Sequence, residues 1–175
     1  MSDRINLFHG DLLALKVSNI PTVTNPADLV LFEQFMKSCT LPEYNLDTDQ
    51  AEFIGHAIVL PKADEQNVNR SPLQINFKLS EYCKNYLYLY SWMQNLRYGS
   101  NITGLARKNV ITELAIQLLD NSKRMFGWFS YQNALCVGLS ALPLEFGSAD
   151  EVIFTVMFQY EQCLFDYADP SPESV

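Results

Sequence analysis

At 175 residues and 20.0 kDa, the chain has the size of one domain built around one core. Its composition of 48% hydrophobic, 13% aromatic and 18% charged residues excludes a disordered chain except at the ends. Twelve Lys and Arg against twenty Asp and Glu leave a net charge of −8, the wrong sign for a protein that grips nucleic acid through its phosphates.

In chain order, Asp3, His9 and Asp11 fall where a secretory leader would need an apolar stretch. A reducing cytoplasm is therefore expected. Leu12, Leu13, Leu15 and Val17 read as a short strand, followed by turn signals at Asn19, Pro21, Asn25 and Pro26. Leu29 to Cys39 reads as an apolar extended segment closed by Leu41-Pro42. Residues 42–71 bury little: scattered acids surround an apolar burst at Phe53 to Leu60, and Lys62 to Ser71 is polar. So long an excursion predicts a protruding hairpin or arm.

Leu73, Ile75, Phe77 and Leu79 alternate with polar residues at the period of two that marks a half-buried strand. The period then changes. Ser80 can cap a helix on which Tyr82, Tyr86, Leu89, Met93 and Leu96 recur at helical spacing until Gly99. Val110 to Leu118 is a strand with Glu113 and Gln117 on its polar side, and Asp120-Asn121-Ser122 is a turn. Met125 to Tyr131 is an aromatic strand, and Asn133 to Leu144 is less regular. In the last strand Val152, Phe154, Val156, Phe158 and Tyr160 face one way, while Thr155, Gln159 and Glu161 face the other. Residues 169–175, with two prolines, read as a solvated tail. The expected fold is mainly β: an antiparallel sandwich or barrel of six to seven strands, with one flanking helix and a protruding hairpin arm. Residues 1–168 form its one domain, in which 1–30 is an N-terminal extension and 42–71 the arm.

Few residues are suited to catalysis. Only two histidines occur, His9 and His56, and the seven glycines form no phosphate-cradling motif. Cys39, Cys83, Cys136 and Cys163 are far apart, so no zinc site and no disulfide framework is expected. Asp47/Asp49 and Asp150/Glu151 read as solvated acids in loops. No enzyme, cofactor or metal site is predicted. The tyrosines at 82, 86, 88, 90 and 98 sit on a helix with little charge between Lys84 and Arg97, which suggests packing on both sides. No Lys or Arg follows Arg124, whereas seven acids do.

Several strings, in order, resemble the tail tube family of tailed phages, in particular the tube and baseplate tube-initiator proteins of contractile tails. They are Phe35 to Pro42; Pro72 to Phe77 with Asn85-Tyr86 and Trp92-Met93; Val110 to Leu119; Met125 to Leu135 leading into Gly138 to Leu144; and Glu151 to Tyr160. The resemblance implies a virion structural protein assembled in the host cytoplasm. Its hexameric rings would stack into the tube that viral DNA traverses without specific binding, and its partners would be sheath, baseplate or tape measure proteins, with no membrane. It implies inter-subunit contacts by the arm residues Tyr44, Leu46, Phe53, Ile54, Ile58 and Leu60. Tyr86, Leu89, Trp92 and Met93 would pack the helix, and Glu113, Gln159 and Glu161 are lumen-facing candidates by alternation. A baseplate tube initiator or a tube terminator shares the fold. Outside this class, a small-ligand-binding β-barrel would have a similar pattern and behave as a monomer.

Overall fold

The computed structural model describes residues 12–42, 48–53, 56–61, 71–98, 111–142 and 151–167, with the backbone alone in 48–53 and 56–61. The elements begin with strand β1 (Leu13–Val17), helix α1 (Pro26–Gln34) and strands β2 (Met36–Thr40), β3 (Thr48–Phe53), β4 (His56–Pro61) and β5 (Leu73–Lys78). A single 3-10 turn (Glu81–Cys83) leads into helix α2 (Lys84–Tyr98), followed by β6 (Thr112–Leu119), β7 (Met125–Leu139), β8 (Ile153–Gln159) and β9 (Gln162–Tyr167). Seven strands form one antiparallel sheet in the order β1-β6-β7-β8-β5-β2, with β9 also paired to β7; β3 and β4 form a separate hairpin. The fold is thus mainly β with one long helix, as the sequence predicts.

β7 joins two halves of the sheet. Its first part lies between β6 and β9, and its second part, from Leu135, pairs with β8. The sequence suggests a strand that loses regularity at Asn133, but the chain continues through that point as one strand of 15 residues. Asn133 takes a left-handed φ of 53°, and this bulge changes which side chains face inward: Tyr131, then Ala134 and Cys136. The partner strand breaks opposite it, where the Glu161 backbone N–H donates to the Gln132 carbonyl at 3.1 Å. β8 and β9 therefore follow β7 as a nearly continuous ribbon from one half-sheet to the other.

A second correction concerns Leu29 to Cys39, of which the first part is helical. Asn25 caps α1, its side chain accepting from the Ala27 N–H at 3.2 Å, and Pro26 occupies the first turn, where no amide partner is needed. The same Asn-Pro pair that signals a turn also starts a helix. α1 inserts Phe32 edge-on to Phe77 at 6.0 Å and ends at Phe35, whose N–H bonds to the Leu31 carbonyl. The chain then enters β2 beside β5.

Buried residues from both half-sheets and both helices form one cluster. Leu15, Leu114, Ile116 and Tyr131 come from the β1-β6-β7 side, and Leu73, Ile75, Phe77, Phe154, Val156 and Phe158 from the β5-β8 side. α2 lies against the latter, with Tyr86 edge-on to Phe154 at 5.3 Å and Trp92 tilted against Phe158 at 6.4 Å. Each such fully buried apolar side chain contributes about 1.5–3 kcal/mol. The start of α2 is set by Asn85, which is 0% exposed. Its Oδ1 accepts from the Ser80 N–H at 3.1 Å and the Ser80 hydroxyl at 3.0 Å, and its Nδ2 donates to the Lys78 carbonyl at 2.8 Å. These bonds tie β5 to α2 across a 3-10 turn where Tyr82 and Cys83 have φ of 58° and 56°. Ser80 makes no side-chain cap to that turn, but its Oγ accepts from the Asn85 N–H in the first turn of α2 at 3.2 Å.

Candidate functional site

The surface has two notable features: a polar sheet face and an open sheet edge. Alternation and register place Gln117 of β6, Ser130 and Gln132 of β7 and Gln162 of β9 on the face opposite the core. The three lumen candidates lie on this side. Glu113 and Gln159 are exposed, and Gln159 pairs with Leu135. Glu161 is exposed too, and its Oε2 accepts from Asn133 Nδ2 at 2.7 Å, bridging the paired bulges. On the β5-β8 half the face continues through a chain of hydrogen bonds: Thr155 Oγ1 donates to Asn76 Oδ1 at 2.7 Å, and Asn76 Nδ2 to Ser38 Oγ at 2.9 Å. The same register puts Ala115, Trp128 and Leu164 on this side as well, together with the charges of Lys16 and Asp166.

A groove of about 280 Å³ opens beside β1 and is lined by Lys16, Ser18, Glu33, Glu113, Ser130 and Gln132, among others. Lys16 and Glu33 meet in it at 2.7 Å. The interior between the sheets is occupied by the aromatic and aliphatic cluster already described.

β9 went unrecognised in the sequence, where the last strand was expected to end near Glu161. It pairs with β7 along one side only among the described residues, and all six of its residues are exposed. Leu164, Phe165 and Tyr167 are 38%, 51% and 63% exposed. Register explains why this is unusual: Phe165 pairs with Phe129, in line with the fully buried Ile116 and Leu15, so it lies on the core side of the sheet. The Phe129 and Phe165 rings stand 4.7 Å apart. The core face thus continues onto β9, but the packing does not. The period-two pattern of Cys163, Phe165 and Tyr167 was the available sequence signal.

On α2, Leu89 and Trp92 are fully buried, while Tyr86 and Met93 pack partly against the core. Its outer side exposes Leu87 and Tyr90, and Tyr90 stacks on Tyr86 at 6.4 Å. Of the arm residues, Tyr44, Leu46 and Ile54 lie outside the described residues. Phe53, Ile58 and Leu60 occupy β3 and β4, where Phe53 pairs with His56, Ile58 with Ala51 and Leu60 with Asp49. The predicted arm is a self-paired hairpin.

Among the described residues, three thiols and one phenol are held toward their protonated forms. Burial pushes the Cys136 thiol up to about 12, and desolvation also raises Cys39 and Cys163. The Tyr131 hydroxyl is raised chiefly by burial, then by neighbouring Cys163. A thiol kept protonated at neutral pH is a poor nucleophile.

The sequence matches no family model and no curated protein. Solved structures are similar in fold. A chain of the sheath-tube complex of an extracellular contractile injection system, PVC, in its extended state, superposes with a TM-score of 0.57 at 11% identity, covering 94% of this chain and 95% of that one. A chain of the anti-feeding prophage tube-terminating cap gives 0.56 at 10% identity over 93% of each. A chain of the same prophage's baseplate gives 0.54 at 16% identity over 90% of this chain and 92% of that one. The protein has the tube fold of contractile tails and injection systems.

Proposed function

We propose that the protein is a structural, non-catalytic subunit that closes into a hexameric ring, and that such rings stack into the tube of a phage tail or tail-like particle. The observation that carries this is the four-strand run β1-β6-β7-β9, whose end strands each pair on one side only among the described residues. Unpaired edges invite another chain. Every neighbouring pair in the run is antiparallel, so β9 runs opposite to β1. A copy related by rotation about a ring axis would therefore bring its β1 antiparallel to β9, and the same join repeats around the ring.

In this arrangement the polar face lines the lumen and the helices lie outside. Glu113 and Glu161 would repel phosphates, letting viral DNA pass without adhering. The β3-β4 hairpin would reach a neighbouring subunit or ring, and sheath, baseplate or tape measure proteins would be the other partners. The particle would be assembled in the host cytoplasm. Baseplate and cap chains superpose about as well as the sheath-tube chain, which also supports an initiator or terminator ring as a second reading.

Light scattering over a range of concentrations tests the ring. Six copies of the 20.0 kDa chain give about 120 kDa. A mass that stays at 20.0 kDa up to high concentration would contradict the reading and favour a monomeric ligand-binding barrel.

A further inference from the structure

We infer that Lys16 of one copy and Asp166 of the next form an ion pair across the seam between β1 and β9, and that this pair selects the β1-β9 join over its alternatives. The inference rests on the ring proposed above and names the contact that sets its register. Each of the two edge strands carries a single charge, Lys16 in β1 and Asp166 in β9. Lys16 lies in the rung Lys16-Ala115-Ser130-Leu164, and Asp166 in the rung Ala14-Gln117-Trp128-Asp166. These rungs are two residues apart, so both charges stand on the same side of the sheet, away from the core. Both residues are exposed. Asp166 forms no ion pair with another described residue. Lys16 holds Glu33 at 2.7 Å, but its side chain remains 55% exposed, and an ammonium donates to more than one acceptor.

Register decides which groups meet. Carrying each rung straight across the seam sets Leu13 of the next copy opposite Tyr167, Leu15 opposite Phe165 and Lys16 opposite Leu164. Apolar residues then face Phe165 and Tyr167, which are 51% and 63% exposed in the single chain. On the other side of the sheet Asp166 becomes the diagonal neighbour of Lys16, about 7–8 Å away and within reach of a long side chain. A slip of one residue would turn Lys16 onto the apolar side beside Phe165, where a charge is costly. The signs also choose the partner. Two β1 edges would set Lys16 near Lys16, and two β9 edges would set Asp166 near Asp166, whereas the mixed join brings opposite charges together. Joins between like edges stop at pairs; the mixed join repeats from copy to copy and can close into a ring.

The experiment reverses the charges in the full chain, as Lys16→Asp, Asp166→Lys and the double variant, and measures by light scattering the concentration at which half the rings dissociate. Because the pair recurs at every seam, even an exposed contact of modest strength affects the whole ring. Each single reversal should raise that concentration about fivefold or more, and the double variant should return to within about twofold of the wild type. Glu33→Gln removes only the bond within the chain and should shift it by less than about twofold. Neutral Lys16→Met keeps the apolar stem, and should raise it about threefold even if a reversal disturbs folding. Isotope-labelled wild-type chains mixed with the double variant should sort into separate rings by native mass spectrometry, since every mixed seam would join like charges. Wild-type rings that tolerate both reversals and Lys16→Met within about twofold, a folded double variant no better than the poorer single one, or free mixing would overturn the pair and leave the ring standing. A wild type that stays monomeric would overturn both.

Discussion

Replacing Asn85 with Ala should damage the fold more than its small size suggests. Asn85 is 0% exposed, and its side chain makes four hydrogen bonds at the junction of β5 and α2: two accepted from Ser80, one accepted from the Tyr86 N–H and one donated to the Lys78 carbonyl. Alanine leaves these groups without their partner in a site closed to water. At about 1 kcal/mol per lost bond, Asn85→Ala should cost about 4 kcal/mol. For a chain of this size each kcal/mol lowers Tm by about 2–4 °C, which gives a drop of about 8–16 °C. Urea unfolding followed by circular dichroism measures the loss directly. Ser80→Ala in the same series tests the mechanism, because the bond from the Ser80 hydroxyl to Asn85 Oδ1 is lost in either single variant, so the double variant should lose less than the sum of the singles. A loss below about 0.5 kcal/mol, or strict additivity, would show that the network does not hold the junction.

Three further outcomes are expected. The Asp120 carboxyl, held below the ordinary carboxylate range first by the Arg124 backbone N–H and then by its side chain and the Ser122 N–H, orders the β6-β7 turn. Because its folded pKa is depressed, its contribution is present above the ordinary carboxylate pKa and lost as pH falls through the lower folded value. NMR titration should find Asp120 titrating below an ordinary aspartate, and a normal midpoint would contradict the turn geometry. Cys136, buried and raised to about 12, should resist iodoacetamide at pH 8 until the protein unfolds, whereas rapid labelling in the native state would refute its burial. Lysines at Gln162 and Leu164 should leave circular dichroism and Tm nearly unchanged but abolish assembly, since edge lysines block strand addition; intact rings in that variant would move the seam away from β9.

The parts of the fold that were legible in the sequence are those with a clear contrast between inside and outside. β5 was readable because Leu73, Ile75 and Phe77 are all buried and alternate with polar residues. α2 was readable because its buried Leu89 and Trp92 recur at helical spacing. Continuity of β7 was hidden because the bulge at Asn133 puts two residues instead of one between the buried Tyr131 and Ala134, which breaks the period of two. β9 was hidden for another reason: it is exposed on both sides, so nothing in an isolated chain selects one face. α1 was missed because Asn25-Pro26 serves equally as a turn and as a helix start, and Leu29 to Phe32 is too short an apolar run to show a period. The importance of Asn85 left no hydropathy signal, because it comes from hydrogen bonds to a strand end. Glu113, Gln159 and Glu161 were legible as members of a polar face, but what that face borders depends on neighbouring copies.

Cryo-electron microscopy of the purified protein at high concentration tests the central claim most directly. The account predicts six-copy rings or stacked tubes, with β9 of each copy antiparallel to β1 of the next and Gln117, Ser130 and Gln132 facing the lumen. Isolated monomers, or an assembly with that face turned outward, would contradict it.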